Sequence, residues 1–280
     1  MGNEWLAVVF GLGAAFAWGA GDFAGGIATQ RSNVYSVVFI SHLASLGLVA
    51  GLAALVAEPL PPIRDLIAGG IAGIAGAIGL ASLYRGLARG PMSIVAPVAA
   101  VVTATGPVVL GLLVEGLPAG QQLVGFGLAL AGVWLISRTA DGGSIQASDL
   151  VLPAVAGVGF SLYLIFIDQA SEVSVLWPLL AVRIASSSSI LILALLVRQR
   201  PFAAKRDLPL VVLLGTSDLA GNGLYALATQ LGRLDVAAIL GSLYPAATVL
   251  LAWTILRERI TRWQWVGMAL ALAAIILIAL

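Results

Sequence analysis

The sequence predicts an all-α polytopic membrane protein, with ten transmembrane helices arranged as two inverted-topology five-helix repeats. Three observations carry this. First, 60% of the 280 residues are hydrophobic and 10% are charged, whereas an ordinary soluble domain carries about 25% charged residues; the mean hydropathy is +1.06. Second, apolar runs of about 20 residues, the length of one helical bilayer crossing, follow one another with short polar connections. Third, the second half of the chain repeats features of the first. Helix rather than strand follows from the solvent. Lipid offers the backbone no hydrogen-bond partner, and barrel strands would alternate in polarity instead of running continuously apolar.

Taken in order, the spans fall at about 5–28, 34–56, 66–88, 92–114, 119–138, 149–169, 174–197, 208–230, 235–256 and 262–280. The first follows Met1-Gly2-Asn3-Glu4, which lacks a basic n-region, so it is expected to be a retained span and not a cleaved signal. Trp5 opens it, and Trp263 and Trp265 open the last, where interfacial indoles belong. The third span contains Gly69, Gly70, Gly73 and Gly76, a small-residue surface for close helix packing; without a following Lys-Ser/Thr it is no phosphate loop. In the fourth span Pro97 and Pro107, and in the ninth Pro245, remove helical hydrogen bonds, which predicts bends or hinges. Ser186 to Ser189 in the seventh read as close packing with local hydrogen bonds. No connection is long enough for a soluble domain.

The duplication is visible at matched spacing. Gln122-Leu123-Val124-Gly125 parallels Gln264-Trp265-Val266-Gly267, 142 residues on. Gly90-Pro91-Met92-Ser93 parallels Gly232-Arg233-Leu234-Asp235, and His42-Leu43-Ala44-Ser45 parallels Arg183-Ile184-Ala185-Ser186. One unit is five spans, an odd number, so the second unit (141–280) enters the membrane from the side opposite to the first (1–140). Inverted repeats of this kind build many secondary transporters.

These motifs resemble the EamA-type branch of the drug/metabolite transporter superfamily. The carriers are Ala17-Trp18-Gly19, Leu83-Tyr84 with Gly90-Pro91, Glu115 with Gln122 and Gly125, and, in the second half, Leu224-Tyr225, Tyr244-Pro245, and Glu258 with Gln264 and Gly267. Two departures stand out: Thr103 occupies the place of Pro245 in the first half, and the basic residue common late in the family's first span is missing, with Asp22 nearby instead. The resemblance implies export or exchange of small metabolites, often amino acids, nucleosides or sugar phosphates. It implies no cofactor, and a bacterial plasma membrane as the location.

Polar residues within the spans are the candidate site, because a charge near the bilayer centre costs roughly 2.5–3.5 kcal/mol on insertion scales and so faces a bundle interior or wet cavity. Asp218, Asn222 and Tyr225 fall at i, i+4 and i+7 on one face of the eighth span, with Thr229 beyond. That stripe reads either as a cavity wall or as interhelical bonding to Arg183. Arg183 offers a planar fork for a carboxylate, or a permanent partner for Asp218 or Asp168. His42, its repeat counterpart, titrates near neutrality and is a candidate proton carrier, or else a hydrogen-bonded bundle histidine. Asp22 lies four residues from Trp18, a pairing able to hold an ammonium group; alternatively it is a proton carrier or reaches the nearer surface. Asp168 is closer to its span end and is expected to be structural. Tyr84, Tyr163 and Tyr244 add aromatic area. Together these groups suit a small zwitterion, with Arg183 on the carboxylate and an aspartate on the amine.

Other classes are narrowed by composition. There is no cysteine and one histidine, and the net charge is +1. Disulfides, thiol catalysis and the usual zinc sites are excluded, and no nucleic-acid surface is indicated. The expected class is not an enzyme, and the expected partners are a small-molecule substrate, the lipid bilayer and a coupling proton. Because both units lie in one chain, a monomer suffices. The alternatives are an intramembrane enzyme, either serine protease-like through Gly215-Thr216-Ser217-Asp218 and His42 or a lipid-phosphate hydrolase, and a channel.

Eleven Lys and Arg residues lie at the connections after spans 1, 3, 5, 7 and 9, against two, Arg64 and Arg233, on the other side. The positive-inside rule therefore puts the basic side in the cytoplasm and both termini outside, opposite to the arrangement common in the family. C-terminal reporter fusions check this. A reporter active only outside the cytoplasm is expected; one active only inside contradicts the assignment.

Overall fold

The computed structural model describes residues 4–89, 92–136, 147–200, 207–255, 257 and 261–279, and every element among them is helical. The first unit holds α1 (Glu4–Thr29), α2 (Val34–Val56), α3 (Ile63–Arg89), α4 (Met92–Val114) and α5 (Gly120–Ile136). The second holds α6 (Ala147–Ala170), α7 (Leu176–Leu196), α8 (Leu208–Leu231), α9 (Leu234–Gly241), α10 (Tyr244–Ile255) and α11 (Arg262–Ala279). Among the described residues, seven segments are long and apolar enough to cross a membrane, α9 and α10 counting as one, and three further apolar helical segments are shorter. The protein is an integral, multi-pass membrane protein of two repeats.

Local chemistry sets several ends. Asn33 caps α2 by accepting the Tyr35 amide at 2.8 Å, and Ala57 closes the same helix in the left-handed conformation. The ninth apolar run, expected as one span, is broken. Pro245 has no amide to donate to Gly241, so the helix ends there and restarts at Tyr244. Pro107 does not have this effect, and α4 runs through it.

The packing has a pseudo-two-fold pattern. α1 lies along α8, and α3 along α6; α1 also meets α9 and α10, while α4 meets α6; α2 meets α8, while α3 meets α7. Exchanging the two units converts each of these pairings into its partner. The α2–α7 and α5–α11 pairs map onto themselves. Exposed Trp5, Trp263 and Trp265 stand at helix ends, as interfacial anchors should.

The small residues of α3 are where two backbones meet. A Cβ on Gly69 would lie 2.7 Å from the Pro178 carbonyl oxygen, and one on Gly73 would press on the Val182 carbonyl. Nothing lies within 4 Å of such an atom at Gly70. The same change at two positions therefore has opposite outcomes. Gly73→Ala is expected to destabilise by about 1–3 kcal/mol through overpacking, whereas Gly70→Ala is neutral or stabilising by about 0.5–1 kcal/mol. Thermal unfolding of both variants in detergent checks the contrast.

Candidate substrate cavity

Midway along the helices the two units part around a cavity of about 920 Å³, its open mouth included. Its walls come from α1, α2, α3, α6, α7 and α8, from Thr103 of α4, and from the break between α9 and α10. Trp18 and Asp22, one helical turn apart on α1, both face it. Gly73 and Gly76 present bare backbone from α3, and Phe160, Tyr163 and Leu164 line it from α6. The helix break at Pro245 lets Tyr244 into the wall.

A polar chain runs across the cavity from α1 through α8 to α7. The Trp18 indole Nε1 donates to Asn222 Oδ1 at 2.9 Å, and Asn222 Nδ2 reaches Asp218 Oδ2 at 3.4 Å. Asp218 Oδ2 lies 2.5 Å from Arg183 Nη2. Gly221 makes room for the indole, since a Cβ there would fall 2.5 Å from its Cδ1. Arg183 is only 2% exposed, and Nε and Nη2 have no hydrogen-bond partner, so the contact with Asp218 is an ion pair of poor hydrogen-bond geometry. The buried Nδ1 of His42 and hydroxyl of Tyr163 are also unbonded. Asp22 is half-buried and makes no hydrogen bond or ion pair with any described residue.

Of the residues singled out in the sequence, Trp18, Asp22, His42, Tyr163, Arg183, Asp218, Asn222 and Tyr244 converge on this cavity. Arg183 is paired with Asp218. Tyr225 continues the stripe on α8 but does not reach the cavity. It is fully buried against Trp18, with ring centroids 5.8 Å apart, because the helices have closed together at its depth. Thr229, further along, donates to the Ala226 carbonyl at 3.1 Å. Asp168 is half-buried near the end of α6, outside the cavity. The side chain of Tyr84 lies outside the described residues. Phe160 and Ser242 went unnoticed in the sequence. The first sits one helical turn before Tyr163, and the second adjoins the proline break, so both carried a weak signal. Ser188 and Ser189 donate to Ile184 and Ala185 carbonyls, each at 2.8 Å, as their run suggested.

Comparison with known proteins bears on this architecture. The EamA-like transporter family matches the chain twice, over residues 5–138 and 148–280. The chain belongs to the EamA-like transporter family. Each match covers one of the two units. No curated protein matches the chain. A protein of known crystal structure aligns over 97% of this chain and 95% of its own, with a TM-score of 0.77 and 17% identity, a likeness of fold. The cavity of this EamA-like chain thus lies between its two family repeats.

The buried ion pair makes a direct prediction. Removing one partner strands the other charge, whereas replacing both with apolar groups of similar volume does not. Asp218→Leu or Arg183→Met alone should each destabilise the protein by about 3 kcal/mol, the low end for a buried pair because Asp218 is one-third exposed. The double variant should recover most of that. Equal losses in single and double variants, measured by thermal unfolding, would contradict the pairing.

Proposed function

We propose that this EamA-like protein is a secondary-active exporter or exchanger of small metabolites, amino acids or related amine-bearing compounds, working by alternating access. Ten crossings in two inverted units (1–140 and 141–280) would rock around the central cavity, in a bacterial plasma membrane. The observation that carries the reading is the cavity itself: it lies between two family repeats and holds, beside Trp18, a carboxylate, Asp22, without a hydrogen-bond or ion-pair partner among the described residues. A monomer contains the whole cavity. No hydrolytic step is needed, and energy would come from a gradient or from exchange, with Asp22 and His42 as candidate proton carriers.

Alternating access requires ends that open and close. At the end bearing the α2–α3, α4–α5, α6–α7 and α8–α9 connections, polar ties join the two units. Glu58 accepts the amides of Val175 and Leu176 at 3.2 and 2.8 Å, capping α7 from the other repeat. Arg64 Nη2 lies 3.5 Å from Glu172. Arg233 donates to the Gly116 carbonyl at 2.7 Å and lies 3.5 Å from Glu115, which itself accepts the Leu234 amide at 3.1 Å. Buried Asp235 orients this guanidinium at 2.8 Å, and that hydrogen bond also raises the Arg233 pKa above its ordinary value, so it stays charged. These ties seal this end, and opening it would break them.

Two experiments test the reading. In liposomes loaded with unlabelled amino acid, labelled amino acid should accumulate by counterflow with the wild type; absence of exchange for every amino acid and amine tried would contradict it. A cysteine at Thr229, buried between the cavity and the sealed end, should resist an impermeant thiol reagent in the parent and react several times faster after Arg233→Gln. Unchanged reactivity would show that the Arg233 tie is no gate.

A further inference from the structure

The charges around the cavity do not cancel. Arg183 is the one permanent cation among its described lining residues, and Asp218 sits on it at 2.5 Å. Asp22 remains over, without hydrogen bond or ion pair among the described residues. His42 makes no ion pair there either, and counting it as neutral leaves the walls with a net charge of −1. Such a site treats the two ends of an amino acid unequally.

A carboxylate entering the cavity meets a guanidinium that is already neutralised and, at 2% exposure, hidden behind the wall. It also meets two carboxylates. A protonated amine meets the uncompensated Asp22, with the rings of Trp18 and Tyr244 in the same wall. The indole is fixed there by its hydrogen bond to Asn222, so its face is positioned in advance; an ammonium group over an indole face gains cation–π attraction in addition to the charge pair. The rest of the lining, with Leu80, Leu83, Phe160 and Leu164, is apolar and suits a hydrocarbon or aromatic group.

Building on the carrier reading above, we infer that the amine is the recognised end and the carboxylate is dispensable. The ligand class is therefore small amphipathic organic monocations: protonated amines and amino acids whose carboxyl group is amidated or absent. Asp22 is the residue that selects them. Arg183 is then a positioning residue, which holds Asp218 and through it Asn222 and Trp18.

A matched series separates the two ends. Phenylalanine, phenylalanine amide, phenethylamine and 3-phenylpropionate share one aromatic group and differ only in charge. Binding to the purified full-length protein in nanodiscs is measured by calorimetry. The amide and the amine should bind at least about tenfold more tightly than phenylalanine, which corresponds to one step of about 1.4 kcal/mol, and 3-phenylpropionate should not bind. Asp22→Asn should lose the two cations while keeping its thermal midpoint, and Asp22→Glu should retain them. Binding of 3-phenylpropionate, phenylalanine binding as tightly as its amide, unchanged affinity in Asp22→Asn, or no binding of any of the four would overturn the inference. The carrier reading stands or falls separately, on counterflow exchange in liposomes.

Discussion

The buried guanidinium of Arg183 is the constraint on which the centre of this molecule depends. An isolated charge in a low-dielectric interior carries a large desolvation penalty, and only a close opposite charge makes it tolerable. Asp218 supplies that charge from the neighbouring helix. Asp218 also accepts from Asn222, and Asn222 accepts from Trp18. One electrostatic requirement on α7 thus orients a chain of side chains reaching α1. The cavity exists because these polar groups occupy the level at which the helices would otherwise close, as they do one turn away around Tyr225.

The packing supplies the complementary requirement. In lipid there is little hydrophobic drive between helices, so tight association rests on close backbone contact. The glycines of α3 bring α7 to it, and Gly19 brings α1 against the Tyr244 carbonyl at 2.6 Å from where its Cβ would lie. These contacts join opposite repeats. Polar ties at the ends, Glu58 on the start of α7 and Arg233 on the end of α4, add directional bonds that small shifts can break. Firm packing along the helices and breakable bonds at one end of the bundle are consistent with the rocking proposed above.

Much of this was legible in the sequence, for identifiable reasons. Spans are a solvation property of the chain itself, and the two-repeat pattern follows from paired motifs. The helix face bearing Asp218 and Asn222 follows from helical spacing. What spacing cannot give is depth. Tyr225 shares the face of Asp218, yet the closing of α1, α8 and α9 decides that it is buried. Leu219 shows the same limit: its apolar character suggests a lipid-facing side, but it is 5% exposed in the core because α8 is enclosed by α1 and α2. Which of Asp218 and Asp168 pairs with Arg183 also waited on the distance to Asp218. The Glu58 and Arg233 ties were invisible, since they join connections more than a hundred residues apart.

The central claim is that one cavity communicates with both sides of the membrane in turn. The parent chain has no cysteine, so a single cysteine at Asn222, on the cavity wall, reports access cleanly. In vesicles of known orientation, an impermeant thiol reagent applied from either side should label it, with less labelling from one side whenever conditions favour access from the other. Labelling from one side only, under every ligand and gradient condition, would mean a blind pocket and would contradict the account.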